Sequence, residues 1–287
     1  MLLHELIAPL PQVALTGPSD REVEGLRDDS RAVGHGDLFV AVRGETVDGH
    51  DFINAALEAG ASAIVAESSA PPELAEGVGW VMVPDSRQAL GVLSGVWCAN
   101  PSLDLRVAGV TGTNGKTSVA TFTRMIWSEL GYDAVNLGTT GVEGAYQAPL
   151  QHTTPEPITL HRVLSDCAFA GVTHAAMEAS SHGLSQRRLD GVHLKAAGFT
   201  NFTQDHLDVI RSWFNDPDGV NGMIGNMPDD TTDFSPHIPD SRFRFLNYGI
   251  DGLDVFFHKN NIEKDPLVIT IVTDKSKINI DKILDYG

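Results

Sequence analysis

The chain has 287 residues, 42% of them apolar and 20% charged, with a formal net charge of -18. That length supports two domains with ample cores. The negative charge argues against nucleic acid or an anionic membrane as the main partner, although a local pocket of amides and one or two basic residues can still bind phosphate.

The opening MLLHELIAPLPQVAL has no basic start and no long apolar run, so no signal peptide is expected. No stretch is long and apolar enough to span a bilayer. Cys98 and Cys167 lack paired or metal-ligand spacing and read as buried thiols of a reducing compartment. The expected setting is the cytoplasm.

Leu38–Val42 reads as a short buried strand. Asp51–Ala59 reads as a helix with Asp51 as its cap and Gly60 as its stop. Ala63–Val65 and Trp80–Val83 read as strands, and Ser86–Cys98 as a helix. This alternation predicts a small N-terminal α/β domain over residues 1–101, ending at Asn100-Pro101-Ser102. A second unit opens with a strand at Arg106–Val110, a glycine loop, and a helix from Lys116 to Leu130 stopped by Gly131. Ala134–Leu137 is a strand, and Ile158–Ala170 a helix stopped by Gly171. His174–Met177 is a strand ending on Glu178, and Ala196–Thr200 is one more. The order predicts a P-loop-type parallel sheet with helices on both faces.

After residue 208 the composition changes. Residues 1–208 hold 26 alanines and residues 209–287 none, while lysine goes from two to five. About ten alanines would be expected in a tail of that length. Residues 215–241 read as loop, Leu267–Val272 as a strand, and the C-terminus as a short helix.

Gly109-Val-Thr-Gly-Thr-Asn-Gly-Lys-Thr-Ser118 joins strand to helix and so forms an anion site. Backbone N–H groups point inward, and the helix N-terminus adds partial positive charge. Gly112 and Gly115 permit close approach of phosphate, Lys116 carries the neutralising charge, and Thr117 offers a hydroxyl to Mg²⁺. The usual first glycine is replaced by Val110.

This loop resembles that of the Mur ligases and the related folylpolyglutamate synthetases, which depart from the common spelling at the same point. Asp29-Ser30-Arg31, Gly36-Asp-Leu-Phe-Val-Ala-Val42 and Gly44 resemble the N-terminal domain of the MurE-type branch, the UDP-N-acetylmuramoyl-tripeptide synthetases. His152-Thr153-Thr154, Met177–Arg188 and Thr200–Asp208 continue the likeness. The resemblance implies ATP and Mg²⁺ as cofactors, and UDP-N-acetylmuramoyl-dipeptide with an amino acid (diaminopimelate, lysine or ornithine) as substrates; a monomer is expected. It implies that Asp28, Ser30, Glu45, Thr46 and Val47 line the uridine end. His152, Thr153 and Thr154 would contact the substrate nearer its reacting end, and Ser180, Gln186 and Arg188 its diphosphate and sugar. Gly112, Thr113, Asn114, Gly115, Lys116, Thr117 and Ser118 would bind ATP phosphates. Lys116, Glu178 and His206 would be catalytic, with Thr117, Glu178 and His206 on Mg²⁺. Such ligases activate a carboxylate as an acyl phosphate, which an incoming amine attacks.

Plainer roles compete. Glu178 could end a strand, His182 hold a loop, His206 sit in a turn, Ser30 cap a turn and Arg188 pair with Asp190; Arg187 reads as surface. The resemblance stops at Asp208. No lysine lies between Lys195 and Lys259 to play the family's carbamylated lysine, and no Asn-Pro-Arg motif occurs. The central domain, residues 102–208, is thus expected to be truncated, and residues 209–287 to be an unrelated or divergent tail. Two further readings stay open: a non-catalytic fragment binding ATP and UDP-sugar, and a folylpolyglutamate-type ligase, which the Asp-Ser-Arg domain disfavours.

Overall fold

A computed structural model describes residues 1–44, 46–74 and 76–200, with the backbone of two further strands, Phe243–Asn247 and Asp254–His258. The expected loop 215–241, strand 267–272, C-terminal helix and His206 lie outside these residues. So does Glu45.

The chain forms two compact units. Unit 1 comprises Met1–Pro101, Glu156–Ser165 and Gln186–Val192. Its sheet contains β1 (Ala14–Thr16), β2 (Gly25–Arg27), β3 (Asp37–Val40), β4 (Ala63–Ala66) and β5 (Gly79–Met82), in the order β1-β5-β4-β3-β2. All neighbours are parallel except β1, which runs antiparallel to β5 along one edge. Every residue of β3 and β4 is buried, as expected of strands covered on both faces.

Alternate side chains choose opposite faces. Leu38, Val40, Ala63, Val65 and Val81 pack with Leu3 and Leu6 of α1 (Leu3–Ile7) and Leu90 and Leu93 of α3 (Ser86–Trp97). Phe39, Ile64, Ala66 and Trp80 pack with Ile53 and Ala56 of α2 (Ile53–Glu58). The helix expected from Asp51 begins differently. Asp48, not Asp51, accepts the capping bond, and a 3₁₀ turn over Gly49–Phe52 precedes α2.

Unit 2 comprises Ser102–Pro155, Asp166–Ser185 and His193–Gly287. Its main sheet contains β6 (Arg106–Thr111), β7 (Ala134–Gly138), β8 (Gly141–Gly144), β9 (His174–Glu178) and β10 (Leu194–Phe199), in the order β10-β6-β9-β7-β8. The expected parallel sheet is present, with one addition. β8 pairs antiparallel with β7, because the two-residue link Thr139–Thr140 permits only a hairpin. Helix α4 (Lys116–Glu129) lays Ala120 and Trp127 against Ala108, Ala134 and Ala176. Helix α5 (Pro157–Phe169) begins in unit 1 and ends in unit 2, and the short α6 (Ser181–Ser185) follows β9. The strands at Phe243–Asn247 (β11) and Asp254–His258 (β12) form an antiparallel pair that the sequence reading did not name.

Both units are therefore α/β, with sheets made mainly of parallel strands. In unit 2 the register places Glu178 opposite Val110 and Met177 opposite Leu137. The C-terminal ends of β6, β7 and β9 consequently meet at one edge, where open α/β sheets bind ligands. Cys167 is buried as expected, and burial pushes its thiol up to about 12. Cys98 is only half-buried, because it follows the last turn of α3.

Candidate functional site

The site in unit 2 starts with the turn between β6 and α4. Gly112 has φ 127° and Gly115 φ 86°, a backbone that side-chain-bearing residues rarely adopt. Gly115 is the N-cap of α4 and offers no side-chain cap. The first turn of a 14-residue helix thus keeps N–H groups for an anion. Thr200 fastens the loop from the far side. Its N–H donates to Thr111 O at 2.9 Å, and its hydroxyl donates to Asn114 O.

Lys116 is half-buried, and its amine donates to Gly112 O at 2.7 Å and Thr113 O at 3.2 Å. Burial holds the ammonium pKa below its ordinary value, and the charge of Glu178 works in the opposite direction. A lysine beside a carboxylate, at a loop whose amides start a helix, suits a polyanion.

Glu178 is 2% exposed. One carboxylate oxygen accepts the Thr117 hydroxyl at 3.0 Å, and the other accepts the Thr139 N–H at 3.0 Å. Its backbone carbonyl accepts the Thr154 hydroxyl at 2.9 Å. Thr154 also accepts from Ser180 N at 2.9 Å and lies 3.1 Å from Ser180 Oγ. Thr153 meets the Thr139 hydroxyl at 3.0 Å. The structure therefore gathers Lys116, Thr117, Thr153, Thr154, Glu178 and Ser180 around one carboxylate. His152 is exposed.

Two positions in this cluster escaped the sequence reading. Thr139 contributes through its N–H as well as its hydroxyl. Gly138 stands so close that a Cβ there would overlap the Glu178 carboxylate. The available signal was a Gly-Thr-Thr run at the end of a parallel strand.

Carboxylate and hydroxyl oxygens are hard ligands of the kind Mg²⁺ takes, and the touching pair Thr117–Glu178 fits that ion. Among the described residues, no group of three or more His, Cys, Asp or Glu gathers to hold a metal. The third expected ligand, His206, lies outside them.

The remaining expected residues belong to unit 1. Asp28 is exposed by its own surface. Its carboxyl nevertheless sits above the usual range through desolvation first, with Glu156 and Asp29 adding repulsion and its own backbone N–H opposing. Ser30 does not cap the turn that follows; Asp29 does, accepting Arg31 N at 3.0 Å. Thr46 and Val47 are exposed at the tip of a tight hairpin.

Gln186 Oε1 accepts two bonds from Arg188, at 3.0 and 2.7 Å. Arg187, read as surface, is instead paired. Its guanidinium lies 2.7 Å from Asp190 and 3.5 Å from Asp85, on a backbone with φ 55°. Asp85 also caps α3, so the ion pair ties the segment after α6 to a helix start within unit 1.

Comparisons with known proteins match two parts of the chain. The model of the Mur ligase middle domain matches residues 110–215, and that of the Mur ligase family, catalytic domain, matches residues 22–96. The first match runs seven residues beyond Asp208, where the sequence reading ended the resemblance. The UDP-N-acetylmuramoyl-L-alanyl-D-glutamate--2,6-diaminopimelate ligase of Bacteroides fragilis is 42% identical over 213 residues, covering 74% of this chain and 44% of that protein. The ligase of the same name from Rhizobium meliloti (strain 1021) is 49% identical over 189 residues, covering 65% of this chain and 38% of that protein. The chain thus spans less than half the length of these relatives. A solved structure of a ligase with this name superposes with a TM-score of 0.60 at 29% identity, over 74% of this chain and 43% of its own. With both domain models matched in chain order, and with these likenesses of sequence and shape, the chain belongs to the Mur ligase family.

Proposed function

We propose that the chain carries the UDP-substrate and ATP-binding portions of an ATP-dependent amide-bond ligase of peptidoglycan synthesis. Its substrate is UDP-N-acetylmuramoyl-L-alanyl-D-glutamate, and the amino acid added is diaminopimelate, by analogy with the names of its relatives. Residues 1–101 take the UDP end and residues 102–208 the ATP end, in a cytoplasmic monomer with no nucleic-acid or membrane partner. The observation that carries this reading is the buried Glu178 carboxylate, held by the Thr117 hydroxyl beside Lys116.

In this reading the loop amides of Gly112–Ser118 and the Lys116 ammonium hold the phosphates and offset their repulsion of the substrate carboxylate. Thr117 and Glu178, with His206, hold Mg²⁺. The chemistry a bound Mg²⁺ supplies is neutralisation of phosphate oxygens as charge moves onto the leaving group. Thr139 holds the Glu178 carboxylate and Thr154 its backbone carbonyl, so the strand end that presents the carboxylate is fixed. Asp28, Ser30, Glu45, Thr46 and Val47 meet the uridine end, while Gln186, Arg188 and Ser180 meet the diphosphate and sugar. His152, Thr153 and Thr154 lie towards the reacting end.

The test is calorimetric binding of ATP and of the UDP-dipeptide, with phosphate release read in parallel. Mg-ATP is expected to bind, and Lys116→Ala and Glu178→Gln each to weaken it at least tenfold, about 1.4 kcal/mol. Glu178→Gln should also lessen the dependence on Mg²⁺. Phosphate release requiring both the dipeptide and diaminopimelate completes the ligase reading. Binding of both ligands without release would assign this chain the binding function alone. A response to folates in place of UDP-sugars would overturn the substrate.

A further inference from the structure

The loop that carries Thr46 and Val47 is closed at its neck by backbone bonds. Gly44 N donates to Val47 O at 2.9 Å, Gly49 N donates to Val42 O at 2.9 Å, and Arg43 bridges Asp48. Behind this neck stands His50, whose side chain is 15% exposed. Its Nε2 accepts the Glu67 N–H at 3.0 Å, so in the neutral ring the proton sits on Nδ1. Nδ1 faces Asp48 Oδ1 at 2.7 Å. The same carboxylate accepts His50 N at 3.0 Å and Arg43 Nε at 3.1 Å. Asp48 is accordingly held at about 2, chiefly by the two bonds from His50 and then by Arg43.

The imidazole is thus a strut between two strand ends. Glu67 directly follows β4, and Asp48 belongs to the hairpin after β3. The strut reaches a third strand end through Glu67, whose carboxylate accepts Ser86 N at 3.1 Å and Ser86 Oγ at 2.9 Å at the start of α3. Arg87, in the same first turn, donates to Arg43 O at 3.2 and 2.7 Å. The ring links two loops at the C-terminal edge of one parallel sheet directly, and Glu67 and Arg87 carry the link to the third. Backbone bonds join the strand ends themselves, Ala41 N to Val65 O and Val83 N to Ala66 O, and the Arg43 guanidinium lies 3.7 Å from the Glu67 carboxylate. The ring acts beside these ties as the one that holds the hairpin through Asp48.

We propose that His50 is a positioning residue for nucleotide recognition. Its two ring nitrogens fix the Gly44–Val47 hairpin so that the tip meets the uridine end in a preset geometry. This rests on the reading that the tip contacts that end of the substrate. A preset loop binds without losing conformational freedom at the moment of contact, so releasing the strut weakens uridine recognition and leaves the ATP loop of unit 2 untouched.

The experiment uses the 287-residue chain, with UDP, the UDP-N-acetylmuramoyl-dipeptide and Mg-ADP as probes. His50→Ala is expected to weaken both UDP ligands at least tenfold and to hold Mg-ADP within twofold. Amide exchange at Gly44 and Gly49 should accelerate in the absence of any ligand. His50→Asn retains a donor for Asp48 and cannot span to Glu67; it should recover part of the lost affinity. If His50→Ala does not fold, His50→Asn against the parent chain makes the same comparison. Unchanged UDP affinity in a folded variant, or equal loss for UDP and ADP, overturns the positioning role alone. Failure of the parent chain to bind either UDP ligand overturns the substrate reading, and this role with it.

Discussion

At the scale of single residues, the site is built by satisfying one buried carboxylate. Glu178 has two oxygens and a carbonyl inside the sheet edge, and Thr117, Thr139 and Thr154 each answer one of them. An unmet buried carboxylate is costly, so the bonds from Thr117 and Thr139 explain how a 2% exposed glutamate persists there, while Thr154 satisfies its backbone. Gly138 completes the arrangement by leaving room. Gly138→Ala is expected to lower stability by about 1–3 kcal/mol through overpacking against the carboxylate. Urea denaturation reads that change, and Gly198→Ala, a strand glycine where a Cβ meets no other atom within 4 Å, separates overpacking from the general effect of replacing a strand glycine. Sequence showed Glu178 through a long string around it and Lys116 through its loop. It did not show Thr139, because an N–H donor belongs to every residue but proline and leaves no signature. Nor did it show that Arg187 pairs with Asp85, a contact between residues about a hundred positions apart, which no local pattern encodes.

At the scale of elements, apolar segments were legible even when short, as β3, β4 and β5 show, and short segments with little apolar content were not. Helix α4 and strands β6 and β9 emerge from periodicity and glycine stops within a residue or two. β1 and β2 have three residues each, and β8 is Gly-Val-Glu-Gly; none is long enough or apolar enough to stand out. The start of α2 was misplaced because Asp48 and Asp51 are both good caps, and only the fold decides which N–H groups face them. At the opposite end of β9 from Glu178, His174 lies 3% exposed between Trp127, 5.1 Å away, and Tyr132, 4.2 Å away, ring to ring. Burial, with Arg106 nearby, lowers its pKa below 6.5. In the unfolded chain it takes up its proton first as pH falls, so folding loses stability below about 6.5. Burial and Lys195 lower His193 in the same direction. The urea midpoint should therefore drop between pH 7.5 and 5.5, and His174→Gln should shrink that drop without abolishing it.

At the scale of the whole molecule, unit 1 is not continuous in sequence. It takes in Glu156–Ser165 and Gln186–Val192. Ile158 packs on the core of its sheet, and His161 meets the Asp190 carbonyl at 3.1 Å. A Cβ on Gly91 would collide with Asp190, 2.5 Å from its own Cβ, so α3 and the returning segment lie in direct contact. Residues 1–101 expressed alone should therefore bind a hydrophobic dye and unfold at lower urea than unit 1 does within the full chain. Equal midpoints would show that the returning segments add nothing. The strand–helix pattern marked a break at Asn100–Ser102 because Pro101 sits there between two polar residues. Two short segments coming back from beyond residue 155 leave no such trace.

A polypeptide leaves the ribosome N-terminus first, and its leading domain ordinarily closes before the next is made. Here the leading unit waits for Val192. By then every strand that carries the Glu178 cluster has already been synthesised, so the nascent chain must hold an unfinished first half while the second takes shape. A translational pause timed to help this protein fold belongs after residue 192, not at the apparent boundary near 101. Chaperones should engage the emerging chain throughout that interval.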